Sequence, residues 1–584
     1  MDKKRVLRKP LTWILLTLVF CSLLGWFQIR RFDARAVALA ESGKAAIAIM
    51  GEAAKGIGQQ DLDKIMTVYD DSFQAHGKAI WSEVFAHEVH GVRMYDWAVS
   101  DQSEVNKSDV AATWQAWLQN IDSVSMSKFK LDSVEDRSQS DHLRIRAYLW
   151  VRARHVNGGT YETQARFRVW MRQNAEGIWR IYNQEIIHGE SVLGEGAGFE
   201  EVSQDVGIDF QAQINPMYAT PEWTPDIFGI FKYSSAGVSA ADYDDDGHED
   251  LFFCDGARSA LYRNLGGGQF EDVTAQAGLE GLVGFNVALF IDFDNNGTRD
   301  LFLGGLTVPS RFYKNKGAGL FERVESLDIA PLVATASAAD YDNDGDVDLY
   351  LGRYLDPRED LPTTLFYTRN SAGNSLLRND GDFTFTDVTE QAGVREGGLT
   401  LGLAWGDYDA DGDQDLYVAN DFGRNALFRN EADGTFTDVT AETGTMDFGF
   451  GMSASFGDVD NDGDLDLYVS NVHSGQRWYG QAATLYKYLL NSVAQGAIFQ
   501  DLPIYKEIFQ YTGSGWHDYG DRMVKGNSLL INDGKGRFYD TAEDANANPF
   551  GWYWASAIFD YDNDGLQDVY AANGWITGKE KDDL

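Results

Sequence analysis

Residues 407–418 read DYDADGDQDLYV: an aspartate at every second position, a glycine at the sixth, then an apolar β-type run. The nine-residue core, Asp-x-Asp-x-Asp-Gly-x-x-Asp, occurs six times in the 584-residue chain. The copies are DYDDDGHED (242–250), DFDNNGTRD (292–300), DYDNDGDVD (340–348), DYDADGDQD (407–415), DVDNDGDLD (458–466) and DYDNDGLQD (560–568). Their first residues stand 50, 48, 67, 51 and 102 apart. Sheet-forming repeats of this type run to about 40–50 residues. The third and fifth units are therefore expected to carry insertions, over 353–374 and 472–525.

Alternating carboxylates around a glycine turn suit a hard cation. Calcium takes six to eight oxygens, and Asp at positions 1, 3 and 5 places three carboxylates on the concave side of a tight loop. Gly at position 6 permits the sharp turn, position 7 offers its carbonyl, and Asp at position 9 closes the site. The candidate ligands are Asp242, Asp244, Asp246 and Asp250; Asp292, Asp294, Asn296 and Asp300; Asp340, Asp342, Asp344 and Asp348; Asp407, Asp409, Asp411 and Asp415; Asp458, Asp460, Asp462 and Asp466; and Asp560, Asp562, Asp564 and Asp568. About six Ca²⁺ sites are expected. An acidic turn without metal would explain one copy; six in register point to a cation, because packed carboxylates repel. These are not EF-hands, which need Glu at position 12 and flanking helices. Asp415 and Asp466 instead run into the strand-like Leu416–Val418 and Leu467–Val469.

A second motif alternates with the first: FEDVT (270–274), FTDVT (385–389) and FTDVT (436–440), with looser copies FEEVS (199–203) and FYDT (538–541). Gly- and Asn-rich turns precede it, as at Arg263–Gly268 and Ile531–Gly536, and supply the positive-φ positions that hairpins use. Each unit reads as short strands broken by turns.

The 60 glycines, 10 prolines and abundant aromatics fit this reading, and the net charge of −41 excludes nucleic acid as a partner. Cys21 lies in an apolar run, so a disulfide with Cys254 is not expected. Residues 1–10 form a basic tail, and 11–29 an apolar stretch of about 28 Å as a helix, close to a bilayer core. The basic cluster comes first, which predicts a cytoplasmic tail, a single-pass signal anchor at 11–29 and export of the remainder, periplasmic or extracellular. Secretion after signal cleavage is the alternative.

Residues 40–190 lack the repeat. Leu62, Ile65, Met66 and Tyr69 have helical spacing, and 143–152, 163–171 and 179–182 alternate like strands, with Asn157-Gly158 as a hairpin turn. His87, Glu88, His90 and Asp96 do not form the His-Glu-x-x-His pattern of zinc proteases and are read as surface or core residues. No catalytic set stands out anywhere.

The repeats resemble the FG-GAP/VCBS family, and within it the cartilage acidic protein-like (ASPIC/UnbV-type) branch, through the Phe-x-Asp-Val-Thr units and the stretch from Gly526 to Gly574. The Phe-Gly…Gly-Ala-Pro signature itself is absent. The resemblance implies an integrin-α-like calcium-binding β-propeller over 197–584, of a family with seven blades, of which six loops are visible here. Residues 40–190 are similar to the NTF2/SnoaL-like α+β cone. The fold expected is mainly β: a transmembrane helix, a small α+β domain and a propeller. The function expected is a membrane-anchored module binding a protein or glycan. An enzyme using the propeller face or cone pocket, and an envelope assembly scaffold, are the alternatives.

Overall fold

The computed structural model describes residues 43–89, 91–136, 141–194, 202–211, 237–255, 257–355, 368–472, 525–549, 551–561 and 563–574. The expected anchor at 11–29, His90, Asp562, the FEEVS stretch up to residue 201, and most of both insertions (356–367 and 473–524) lie outside the described residues. Among the described residues, no helix is long and apolar enough to cross a membrane. The chain divides near residue 200 into two compact units.

The first unit begins with a helix over 43–58 (α1), followed by α2 (Leu62–Met66) and α3 (Lys107–Leu118). Tyr69, expected on the helical stripe, lies beyond α2 and forms a lone bridge to Ile181. Asn106 caps α3 by accepting from the Ser108 and Asp109 amides while Asp109 returns a bond to the Asn106 amide, a reciprocal capping box. Eight strands follow the order β1 (Gln74–Ala75), β2 (Trp81–Val89), β3 (Val92–Val99), β4 (Val105–Asn106), β5 (Ile121–Asp136), β6 (His142–His155), β7 (Thr160–Gln173) and β8 (Trp179–Gly194). Six form one antiparallel sheet, β2-β3-β8-β7-β6-β5, and register shifts along β5–β6 and β7–β8 bend it. Alternate residues of β6 and β7 point inward onto the helices. The core includes Trp81 stacked on Trp97 at 4.2 Å, with Trp114 edge-on to Trp81 at 4.9 Å. This is the α+β cone arrangement, and Asn157-Gly158 makes the expected β6–β7 turn.

The second unit is a series of antiparallel sheets, five of four strands and one of two. The first sheet holds β9 (Gly237–Ala241), β10 (Asp250–Cys254), β11 (Ser259–Asn264) and β12 (Phe270–Asp272). The second holds β13 (Phe285–Ile291), β14 (Asp300–Gly305), β15 (Ser310–Asn315) and β16 (Phe321–Ile329). The third holds β17 (Val333–Ala339), β18 (Asp348–Arg353), β19 (Ser375–Asn379) and β20 (Phe385–Asp387). The fourth holds β21 (Leu399–Gly406), β22 (Asp415–Asp421), β23 (Ala426–Asn430) and β24 (Phe436–Asp438). The fifth holds β25 (Ser453–Gly457), β26 (Asp466–Ser470), β27 (Ser528–Asn532) and β28 (Phe538–Asp540), and the sixth β29 (Tyr553–Phe559) and β30 (Asp568–Asn573). Within each sheet the strands pair in chain order, and the first strands of successive sheets lie side by side.

Each sheet buries its apolar residues against the next, so the core is a run of separate layers. Phe293, Phe302 and Phe312 of the second sheet pack on Leu349, Leu351 and Leu377 of the third. Tyr341 and Tyr350 of the third pack on Leu416 and Val418 of the fourth. The second strands β14, β18, β22 and β26 are buried along their whole length, which explains their continuous apolar runs. The Phe-x-Asp-Val-Thr motif is the short outermost strand with a built-in stop. In the first sheet the Thr274 hydroxyl donates to Asp272 at 2.6 Å and accepts from the Leu261 amide at 2.9 Å. Thr389 and Thr440 repeat the arrangement.

A second side chain ties sheet to sheet. The asparagine ending each third strand donates from Nδ2 to a backbone carbonyl in the aspartate loop of the preceding sheet: Asn315 to Tyr243 at 2.9 Å, Asn379 to Phe293 at 2.9 Å, Asn430 to Tyr341 at 2.7 Å and Asn532 to Tyr408 at 2.8 Å. Each also donates within its own sheet, Asn430 for instance to the Gln414 carbonyl. Asn430→Ala removes both bonds and opens a buried gap. Chemical denaturation should show a loss of about 1–3 kcal/mol, whereas exposed Asn461→Ala should cost less.

Candidate cation-binding loops

All six aspartate loops connect the first and second strands of their sheets, so they lie at one end of the sheet series. A common set of bonds shapes them. In the fourth loop the Asp407 carboxylate accepts from the Asp411 amide at 3.0 Å and the Gly412 amide at 2.9 Å. The Asp411 carboxylate accepts from the Asp413 amide at 3.0 Å. The Asp415 carboxylate accepts from the Tyr408 amide at 3.2 Å and the Asn430 amide at 2.8 Å. The other loops repeat these contacts, the sixth included as far as it is described. Position 4 lies at positive φ, with Asn or Asp in five loops and Ala410 in the fourth, and Gly412 at position 6 has φ +99°. Asn and Gly tolerate that region best.

This folding brings the candidate ligands together. Oxygens of Asp242, Asp244 and Asp246 lie within 4.8 Å of one another, as do those of Asp340, Asp342 and Asp344. In the second, fourth and fifth loops the converging trios are Asp292, Asp294 and Asp300; Asp407, Asp409 and Asp415; and Asp458, Asp460 and Asp466. Asn296, Asp411 and Asp462 sit at position 5 of those loops, bonded to the amide two residues on. Asp250 and Asp348 close the first and third loops, each anchored by two backbone amides. Asp560, Asp564 and Asp568 hold the sixth loop's backbone.

The position-3 carboxylates are the informative ones. One oxygen each of Asp244, Asp294 and Asp342 is buried without a hydrogen-bond partner. Leaving a buried carboxylate oxygen bare is costly, and an all-oxygen cluster with bare lone pairs fits a hard cation such as Ca²⁺. Electrostatics agree. Burial, reinforced by the neighbouring aspartates, pushes Asp250 and Asp300 up to about 6, Asp348 to about 7 and Asp415 to about 8, against the pull of their amide bonds. Burial likewise raises Asp244, Asp342 and Asp409.

A family model described as "FG-GAP-like repeat" matches residues 242–303, 292–351, 363–418 and 407–469; three of these spans begin at an aspartate loop, and all four end in or just after the second strand that follows a loop. The chain carries FG-GAP-like repeats. Among curated proteins, "Cartilage acidic protein 1" of Xenopus tropicalis is 22% identical over 355 residues, 58% of this chain and 48% of that protein. The Homo sapiens protein of the same name is 22% identical over 357 residues, 58% of this chain and 47% of its own length. The chain thus spans about half the length of these relatives. Solved structures are more distant. An Agrocybe aegerita lectin recognising terminal N-acetylglucosamine is 13% identical with TM-score 0.28, covering 74% of this chain and 85% of its own. A ketosteroid isomerase-like protein from Erwinia carotovora is 13% identical with TM-score 0.18, covering 25% of this chain and 96% of its own. Both likenesses are too slight to inform function.

In the first unit, His87, Glu88 and Asp96 are exposed, and Glu88 pairs with Arg93 at 2.9 Å, a surface role. A polar cluster that sequence reading missed lies elsewhere in that unit. Tyr161 and Ser191 donate to Glu83, which also accepts from Asn120 at 3.2 Å, while Trp117 donates to Tyr161 at 3.1 Å. These residues come from separate strands and one helix end, and no spacing marks them.

The raised carboxyls give the metal-free protein a pH dependence of definite sign. Each binds its proton more tightly folded than unfolded, where an aspartate titrates near 4. Stability therefore falls as pH rises from about 4 to about 8. Thermal unfolding in excess chelator should give a lower Tm at pH 8 than at pH 5.5, and the difference should shrink in Asp415→Asn.

Proposed function

We propose that this chain is an exported, membrane-anchored β-propeller whose aspartate loops bind calcium and which acts as an interaction module for a protein or glycan ligand. The observation that carries the reading is the set of buried, unpartnered carboxylate oxygens at Asp244, Asp294 and Asp342, each inside a loop whose other oxygens converge. Side-by-side first strands in successive four-stranded sheets support a radial, blade-like arrangement. The calcium loops then sit on one rim, and the opposite ends of the strands are left for recognition, as loops on rigid scaffolds commonly are. The basic tail and apolar run at the N-terminus support anchoring and export.

Within this reading the calcium role is structural. Asp242, Asp244, Asp246 and Asp250, and their counterparts in the other loops, would hold the ion. It would supply the positive charge that these loops lack. The loop residues themselves fix the turn: position 1 binds two amides, and position 9 joins the first strand's exit to the end of the third strand. Export and weak binding fit together, because at ~1 mM calcium a site with Kd ~10⁻⁴ M adds about 1.4 kcal/mol to folding, and cytosolic calcium would leave such a site empty.

The test is thermal unfolding of the full chain in detergent, with 1 mM calcium and then with excess EGTA. Chelation should lower Tm by 10 °C or more, with recovery in calcium but not in equal magnesium. An unchanged transition, together with no calcium by elemental analysis, would sink the reading.

A further inference from the structure

The six loops are not equivalent, and the difference lies in a residue outside the repeat motif. The residue before the asparagine that ends each third strand is Arg263, Lys314, Arg378, Arg429 or Ile531. Three of these side chains form their ion pair outside the loop, Arg263 with Glu271 at 3.2 Å, Arg378 with Asp380 at 2.8 Å and Arg429 with Glu431 at 2.8 Å, and reach the position-3 carboxylates Asp244, Asp342 and Asp409 only through space. Lys314 does the opposite. Its ammonium reaches into the second loop and binds one oxygen of the position-3 carboxylate, Asp294, whose side chain is 2% exposed. The other Asp294 oxygen is buried and unpartnered. The Lys314 ammonium also lies 5.7 Å from the centre of the Phe383 ring of the third sheet.

The same loop is the one depleted of negative charge. Position 5 is Asn296, and position 8 is Arg299, which donates to the Asp242 carbonyl and lies 3.7 Å from Asp245 of the first loop. Loops three, four and five each carry five aspartates, two of them at positions 5 and 7 where the second loop has Asn296 and Thr298. The second loop thus has three carboxylates, one of them bound by Lys314 from β15, while its own Arg299 turns to the first loop. A calcium ion entering it must share Asp294 with an ammonium or displace it, and gains one carboxylate fewer. Both effects weaken binding at contact distance.

We infer that Lys314 is the built-in counter-ion of the second loop, so that this loop is partly neutralised without calcium and takes the ion only weakly. This rests on the calcium reading above. The chain would then bind calcium in two classes, with the second loop in the weaker.

Calorimetric titration of the full chain with calcium chloride tests it, using wild type, Lys314→Met, Asn296→Asp and Arg378→Met. Methionine keeps an unbranched side chain of similar length and removes the charge. Wild type should show a weak class at least tenfold below the rest. Lys314→Met and Asn296→Asp should each tighten that class about tenfold or more, and Arg378→Met should leave it unchanged. Circular dichroism checks folding, and if Lys314→Met does not fold, Asn296→Asp decides alone. A single class in wild type, or a weak class that neither second-loop variant moves, would overturn the inference and leave the calcium reading standing. No binding by any loop at 1 mM calcium would take both down.

Discussion

The second unit depends on one buried carboxylate repeated from sheet to sheet. Asp250, Asp300, Asp348, Asp415 and Asp466 open the second strands with 0–1% exposure. Each accepts from the amide of position 2 of its loop and from the amide of the asparagine that ends the third strand. A buried charge without a cation is expensive, yet without this group three strands of the sheet would have no common anchor. The expense is met by amide bonds on one side and, in the proposed function, by calcium on the other.

That arrangement couples neighbouring sheets through single peptides. In the fourth sheet the Asn430 amide donates to Asp415, while its side chain donates to the Tyr341 carbonyl of the third loop. The Tyr341 amide in turn donates to Asp348 of its own sheet. Aspartate, peptide and asparagine therefore alternate along the series. The loops also touch directly: Asn295 donates to Asp346 at 2.6 Å, and Asn343 to Asp413 at 2.7 Å. A change of charge in one loop is felt in the next, and the fourth loop, with Ala410 at the donating position, cannot make that side-chain bond.

Much of this was legible in the sequence because it is local. Nine residues with fixed spacing define a loop, and five define an outermost strand with its Asp–Thr stop. The asparagines were read only as turn formers. Their bond to the preceding sheet spans 72 residues from Asn315 to Tyr243 and 124 from Asn532 to Tyr408, a distance no local pattern reports. Lys314 escaped for the same reason: it lies 20 residues from Asp294, and a lysine in a β-strand ordinarily reads as a solvated edge. In the first unit the strands were evident from alternation, but the helical stripe was overextended. Tyr69 keeps the spacing of the α2 apolar residues because it packs into the same core, its hydroxyl bonded to Gln184 at 2.8 Å, although its backbone has already left the helix.

The sixth sheet shows how far burial depends on the neighbour rather than on the repeat itself. Tyr561 and Tyr570 are 56% and 53% exposed, while their counterparts Tyr408 and Tyr417 in the fourth sheet are 4% and 0% exposed. The local bonds of the loop are the same in both. What differs is the set of flanking strands: the fourth sheet has third and fourth strands and a following sheet to cover these rings, and the sixth has two strands among the described residues. The bonds within the aspartate loop are thus the same whether or not its rings are covered, and the apolar residues Ile558, Val569 and Ala571 of the sixth sheet pack against Tyr468 and Leu529 of the fifth. Burial between neighbouring sheets is what raises Asp415, so the charge problem a cation would solve is created by stacking. Packing and the proposed cation binding would in this sense be one interaction: the sheets that bury Asp300, Asp348 and Asp415 create the demand for positive charge there.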